Sequence, residues 1–197
     1  RQQGVTEVVE DSSGNGGAAV AAFGAAAGMT VHILAPDSTS PAKIAQISAY
    51  GAEVHLIPGP REATEAAALI RDKALSPVEL MIAVLARIEV LEPEINAFAT
   101  LAADAAMDGA KAAEAAITSG ECLGLLHGLP VTIKDLMPVA GLPFQRGSFI
   151  EEHNIAAVDA PFVTRLKAAG AIPLGKTTTS EFGWKGVSHS PLTGITH

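Results

Sequence analysis

Two short stretches of this chain carry residues able to do chemistry. The first is Ser12-Ser13-Gly14-Asn15-Gly16-Gly17. A glycine-rich turn between a strand and a helix offers several backbone N–H groups at the positive end of the helix. That arrangement suits a carboxylate or a phosphate. Ser12, Ser13 and Asn15 add side-chain donors. The same glycines serve equally in a tight turn with no ligand, and on the residues alone that reading has a slight edge. The second stretch is Gly128-Leu129-Pro130-Val131-Thr132-Ile133-Lys134-Asp135. It places Lys134 at the end of a buried-type strand. Desolvation there favours the neutral amine that a general base requires. The competing reading is a strand-end lysine that reaches out to water or pairs with Asp135.

Other reactive side chains promise less. Cys122 follows Glu121, an anion that disfavours the thiolate, so an inert thiol is expected. His127 is expected to face water and Trp184 to pack. Asp135 is expected to pair with a neighbour or cap the following turn. The six histidines are far apart in sequence. No pair has metal-ligand spacing within one element, so no metal site is expected.

The elements around these stretches follow from pattern. Val5 to Glu10 is a β-prone run, and the Ser12–Gly17 turn leads into a helix over 18–27 that Gly28 stops. Thr30 to Ala35 reads as a buried strand. Ser40-Pro41 opens a helix to about Tyr50, with Pro at the first position. Glu53 to Ile57 is a third strand. Strands and helices alternating at this spacing predict a parallel βαβαβ unit. The rhythm changes at about Arg61. Three helices are expected over 62–72, 76–92 and 102–119, forming a helical layer. The second starts at Ser76 with Glu79 three residues on, a capping-box pattern, and Pro93 ends it. Beyond them come a strand over 129–133, a loop-like stretch over 141–154, a helix over 159–169 and a strand over 171–174. The fold class is thus α/β: a parallel βαβαβ unit, a helical layer and a partial second α/β segment. The domain break is expected between residues 60 and 61.

Composition narrows the field. The chain has 197 residues, 48% hydrophobic and 17% charged, so it has apolar material for one or two packed units. A net charge of −8 argues against nucleic acid or an anionic membrane surface as partner. The longest apolar runs are alanine-rich, interrupted by glycine and too short to cross a bilayer, and residues 1–10 lack the pattern of a secretory signal. Cys122 is the only cysteine, which rules out an internal disulfide and fits a reducing cytoplasm, the expected location. The chain begins with Arg1, so a processed product and an excerpt of a longer frame are both open.

Residues 4–60 resemble threonine synthase and, more broadly, the tryptophan-synthase-like pyridoxal-phosphate enzymes. Asp11-Ser12-Ser13-Gly14-Asn15-Gly16-Gly17-Ala18-Ala19, Ser40-Pro41-Ala42-Lys43 and Tyr50-Gly51-Ala52-Glu53-Val54 carry the resemblance. It implies a substrate-carboxylate loop with Ser13, Gly14, Asn15 and Gly16 as ligand-binding residues, Asn15 contacting the cofactor ring oxygen. It also implies a Schiff-base lysine upstream of the loop and a phosphate cup far downstream. Neither is expected here, so no bound pyridoxal phosphate is expected.

Residues 62–197 resemble the amidase signature hydrolases. The stretches that carry the resemblance include Leu75-Ser76-Pro77-Val78-Glu79-Leu80, Leu126-His127-Gly128-Leu129-Pro130-Val131-Thr132-Ile133-Lys134-Asp135 and Arg146-Gly147-Ser148. Gly175-Lys176-Thr177, Ser180-Glu181-Phe182-Gly183-Trp184 and Ser190-Pro191-Leu192-Thr193-Gly194 continue it in order. That family cleaves amide C–N bonds with a Ser–Ser–Lys triad, and the resemblance implies that Lys134 is the general base. Both serines belong to a Gly/Ser-rich signature expected after the Pro-Leu-Thr-Gly stretch. Ser148, Ser180, Ser188 and Ser190 are not at triad positions. Loss of a nucleophile typically costs on the order of 10⁶ in turnover. The expectation is therefore a chimera of two incomplete enzyme segments, with Lys134 a vestigial base and no turnover. One alternative is an active amidase whose serine is supplied elsewhere. Another is a pyridoxal-phosphate lyase remnant that binds a small carboxylate at Ser12–Gly17. Exposed sheet edges and apolar helix faces predict a homo-oligomer.

Overall fold

The computed structural model describes residues 6–12, 15–57, 61–121 and 123–197, with the backbone alone for Asp11, Asn15, Gly16 and Arg61. These residues form two compact units, Arg1–Leu75 and Ser76–His197.

The first unit is a three-stranded parallel sheet of β1 (Glu7–Asp11), β2 (Thr30–Pro36) and β3 (Glu53–Ile57), in that order. Helix α1 (Asn15–Ala27) joins β1 to β2, and α2 (Pro41–Ser48) joins β2 to β3. Val31 and Ile33 of β2 share an apolar cluster with Ala18 and Ala21 of α1 and Ile47 of α2. The strand period of two sends His32 and Leu34 to the opposite face. Helix α3 (Arg61–Arg71) packs on β1 and β2, with Thr64, Ala67, Ala68 and Ile70 buried. The βαβαβ expectation holds among the described residues, and α1 begins three positions before the expected 18.

The boundary between the compact units falls after Leu75; the expected break at 60/61 concerns a change of sequence character. One expectation changes here. The three-helix layer becomes a pair, α4 (Pro77–Ile95) and α5 (Ala103–Ser119), packed together in the second unit. Helix α3 instead belongs to the first unit, because its buried face meets that sheet.

The second unit builds its own sheet from β4 (Phe98–Leu101), β6 (Ile172–Thr177) and β5 (Pro130–Lys134), in the order β4-β6-β5. β5 runs parallel to β6, and β4 antiparallel. Helix α6 (Pro161–Ala168) packs on β6, and β7 (His189–Ser190) pairs with β8 (Gly194–Ile195). Met81 of α4, Ala106 and Ala110 of α5, and Ile172 and Leu174 of β6 form one core. Small alanines let α5 lie close against β6. The capping box at Ser76 is formed: its hydroxyl accepts from Val78 N and Glu79 N, and Glu79 Oε2 accepts from Ser76 N.

Pro93 does not end α4, which continues to Ile95. Asn96 ends it in the left-handed region at φ 52, and the Glu92 carboxylate accepts from Ala97 N and Phe98 N beyond the turn. Asn96 Nδ2 also donates to Thr193 O and Ile195 O, which ties the helix end to the β7–β8 hairpin. Strand β4 was not anticipated. Gly175 makes room for it: φ is +150 and a Cβ there would collide with the Thr100 carbonyl.

Candidate active site

Lys134 is the last residue of β5, where Cα register pairs it with Thr177 at the end of β6. Its side chain is exposed and makes no hydrogen bond or ion pair among the described residues. The expectation of a desolvated amine is thus corrected. Alternation along β5 buries Ile133 and Asp135 and turns Lys134 to the opposite side.

The neighbouring ion pair is what the interior holds. Asp135 is 1% exposed and Lys176 0% exposed, with Lys176 Nζ 2.7 Å from Asp135 Oδ1. Asp135 N donates to Thr177 O, so the link to β6 continues past the strand end. Gln145 N donates to both Asp135 carboxylate oxygens. Lys176 Nζ also donates to Pro143 O and lies 5.1 Å from the Phe144 ring centroid. Both charges are therefore hydrogen-bonded beyond each other, as a buried pair requires. The pair fastens the ends of β5 and β6 directly beside Lys134. Sequence reading expected a near neighbour for Asp135 and gave Lys176 no role.

The serines of the unit hold loops in place. Ser148 Oγ donates to Glu181 Oε1 at 2.7 Å. Ser180 Oγ donates to Lys185 O and accepts from Lys185 N. Ser190 Oγ bonds with Thr193 Oγ1 and accepts from Thr193 N. Arg146 pairs with Glu151 and lies over the Phe144 and Phe182 rings at 5.3 and 5.0 Å. His127 does not simply face water: its Nε2 donates to Ala113 O. Trp184, expected to pack, is 85% exposed. A cavity of about 450 Å³ lies between α5, the 139–142 turn and the start of β6, lined by Gly109, His127, Val139, Leu142 and Ile172 among others. Lys134 is not among its lining residues.

In the first unit, Ser13 and Gly14 lie outside the described residues, as does Cys122 in the second. Asn15 and Gly16 open α1. Gly17 N donates to Ser12 Oγ at 2.8 Å, so a serine hydroxyl caps the helix at this point. Lys43, the only lysine before Lys73, is exposed on α2. An exposed helix lysine offers no enclosed amine to a cofactor aldehyde, so the described residues do not fit pyridoxal phosphate.

The structure also brings together three residues the sequence left apart. His32 of β2 meets Glu53 and His55 of β3 on one face of the sheet. Alternation along β3 puts Glu53 and His55 on one face, but only strand register brings His32 to them.

Unit two is an α/β assembly whose parallel strands end in a free lysine beside a buried ion pair. Comparison with known proteins gives the class a family. The amidase model matches residues 79–197. The chain belongs to the amidase family through that segment. It is similar to indoleacetamide hydrolase of Bradyrhizobium diazoefficiens, at 41% identity over 68% of this chain and 26% of that protein. It is likewise similar to acylamidase of Rhodococcus erythropolis, at 41% identity over 68% of this chain and 28% of that protein. Among solved structures, a bacterial aryl acylamidase of the amidase signature family superposes with a TM-score of 0.66 and 29% identity, over 68% of this chain and 28% of the other. The chain thus spans about a quarter of the length of the curated relatives it matches. A second model, for pyridoxal-phosphate dependent enzymes, matches residues 1–118 and overlaps the first over 79–118. Among the described residues no helix is long and apolar enough to cross a membrane.

Proposed function

We propose that residues 79–197 are the base-bearing part of an amide C–N hydrolase, with Lys134 as the general base, and that this 197-residue polypeptide alone does not turn over amides. One observation carries the reading. Lys134 stands free at the end of β5, while the hydroxyls of Ser148, Ser180 and Ser190 are held in loop contacts elsewhere. A base without a hydroxyl to deprotonate contributes little, since nucleophile and base act as a unit. The test is hydrolysis of simple aryl and alkyl amides by the pure chain, with Lys134→Ala as control. A fluorophosphonate probe should label no serine. A Lys134-dependent rate or adduct refutes the absence of turnover.

A second reading is an active amidase in which a serine from a further stretch of polypeptide reaches Lys134. The exposed, unpaired side chain of Lys134 supports it, because such an amine is available to a partner group. Adding a Gly/Ser-rich stretch after His197 should then restore hydrolysis that Lys134→Ala abolishes.

The two family matches, over residues 1–118 and 79–197, support descent of the chain from two enzymes; the change of motif character in the sequence puts the join near Arg61. The Ser12–Gly17 turn would be the remnant ligand loop of the first, with Ser13, Gly14, Asn15 and Gly16 facing a small carboxylate. A visible absorbance band on adding pyridoxal phosphate, lost in Asn15→Ala, would argue that the cofactor site survives. Self-association is part of the same proposal. Ile82 and Val90 of α4 are 55% and 66% exposed, and Ile150 is 84% exposed, which leaves apolar surface for a second copy to cover. Light scattering at micromolar concentration should report a dimer or larger; a monomer removes this part.

A further inference from the structure

We propose that His32, Glu53 and His55 form a binding site for a borderline divalent transition ion of the zinc type. The site lies in the first unit and does not depend on the amide chemistry of the second. His32 Nδ1 and His55 Nε2 are 3.0 Å apart. Glu53 Oε2 lies 3.4 Å from His32 Nδ1 and 3.9 Å from His55 Nε2. Zinc bonds of about 2.0–2.2 Å in a tetrahedron hold neighbouring donor atoms roughly 3.3–3.5 Å apart. The three observed separations bracket that value. One ion can therefore touch all three donors after shifts of a few tenths of an ångström. Two imidazoles and a carboxylate are the donor set of a zinc site with its fourth place open.

The strands hold this geometry. Register places Glu53 directly opposite His32, and His55 one residue pair further along on the same face. The two rings stack, with centroids 5.2 Å apart and planes 25° apart. The histidine side chains are 17% and 22% exposed, and Glu53, at 62%, is open to solvent. An ion can thus enter from the Glu53 side and meet two imidazoles already in place.

In the ion-free protein the two nitrogens share one N–H. For both nitrogens to ligate, the ring that donates this hydrogen bond passes its proton to its own other nitrogen, so no net proton need leave.

The test is calorimetric titration of Zn²⁺ into the 197-residue chain at neutral pH in a non-chelating buffer. Saturation at one ion per chain is expected. His32→Gln and His55→Asn should each lower the affinity by more than the roughly 10–100-fold typical of losing an outer partner of a metal ligand. Glu53→Gln, which keeps both rings, should weaken binding less. Circular dichroism establishes that each variant is folded. X-ray absorption of the zinc-loaded wild-type chain needs no variant and should show two imidazoles and no sulfur. Absence of saturable binding overturns the proposal. So does binding that survives both histidine substitutions, or a sulfur ligand, which would point to Cys122.

Discussion

Replacing Lys176 with methionine tests whether the buried ion pair organises the second unit. Methionine keeps most of the volume and removes the charge, so Asp135 remains at 1% exposure with the Gln145 amide as its chief donor. Breaking one side of a buried pair costs about 3–5 kcal/mol. A domain has about 5–15 kcal/mol in total, so the variant should lose roughly a fifth or more of its stability. For a unit of this size that corresponds to a Tm roughly 10–20 °C lower. Asp135→Leu should do similar damage by stranding the Lys176 ammonium. The double variant leaves no uncompensated charge, and its loss should fall well below the sum of the two. Urea unfolding followed by far-ultraviolet circular dichroism, arranged as a double-mutant cycle, measures the coupling. The reasoning fails if Lys176→Met costs under about 1 kcal/mol, or if the two single losses simply add.

Asp159 provides a pH test. The hydrogen bond from Lys167 Nζ, then that from Ala140 N, hold its carboxyl below the usual aspartate range. Its contribution is therefore full above the unfolded value of about 3.9 and is lost as pH falls through the lower folded value. Asp159→Asn should melt slightly earlier than wild type at neutral pH, by no more than about 1 kcal/mol, and the two curves should converge in acid; a gap that widens in acid contradicts this. Gly175→Val should cost about 2 kcal/mol or more in urea unfolding, since its Cβ meets the Thr100 carbonyl at a positive φ. Ser76→Ala removes the acceptor for Val78 N and Glu79 N and should cost about 1 kcal/mol by the same measurement.

Some of these features were legible before any coordinates. The capping box at Ser76 and the alternation of strands and helices over 7–57 depend on neighbours within a few residues, and they appear as expected. Pro93 misled because a proline near a helix end removes a single N–H. Glu92 and Asn96 satisfy the groups around it, and the helix continues to Ile95. Strand β4 was missed because only four residues form it and its partner β6 lies far along the chain. Lys134 was singled out correctly as a strand-end lysine, but its exposure depends on which face of β5 turns inward.

By itself the sequence determined the α/β class and the resemblance of residues 62–197 to the amidase family, whose model matches residues 79–197. Periodicity, caps and ordered motifs are local or collinear properties, so a linear reading can reach them. Tertiary structure alone decided that Asp135 pairs with Lys176 rather than a near neighbour, and that α3 joins the first sheet. It also brought His32, Glu53 and His55 within coordinating distance. Each of those results depends on strand register or on which element face is buried. Register brings distant residues into contact, and burial then makes an unpaired charge too costly to leave alone.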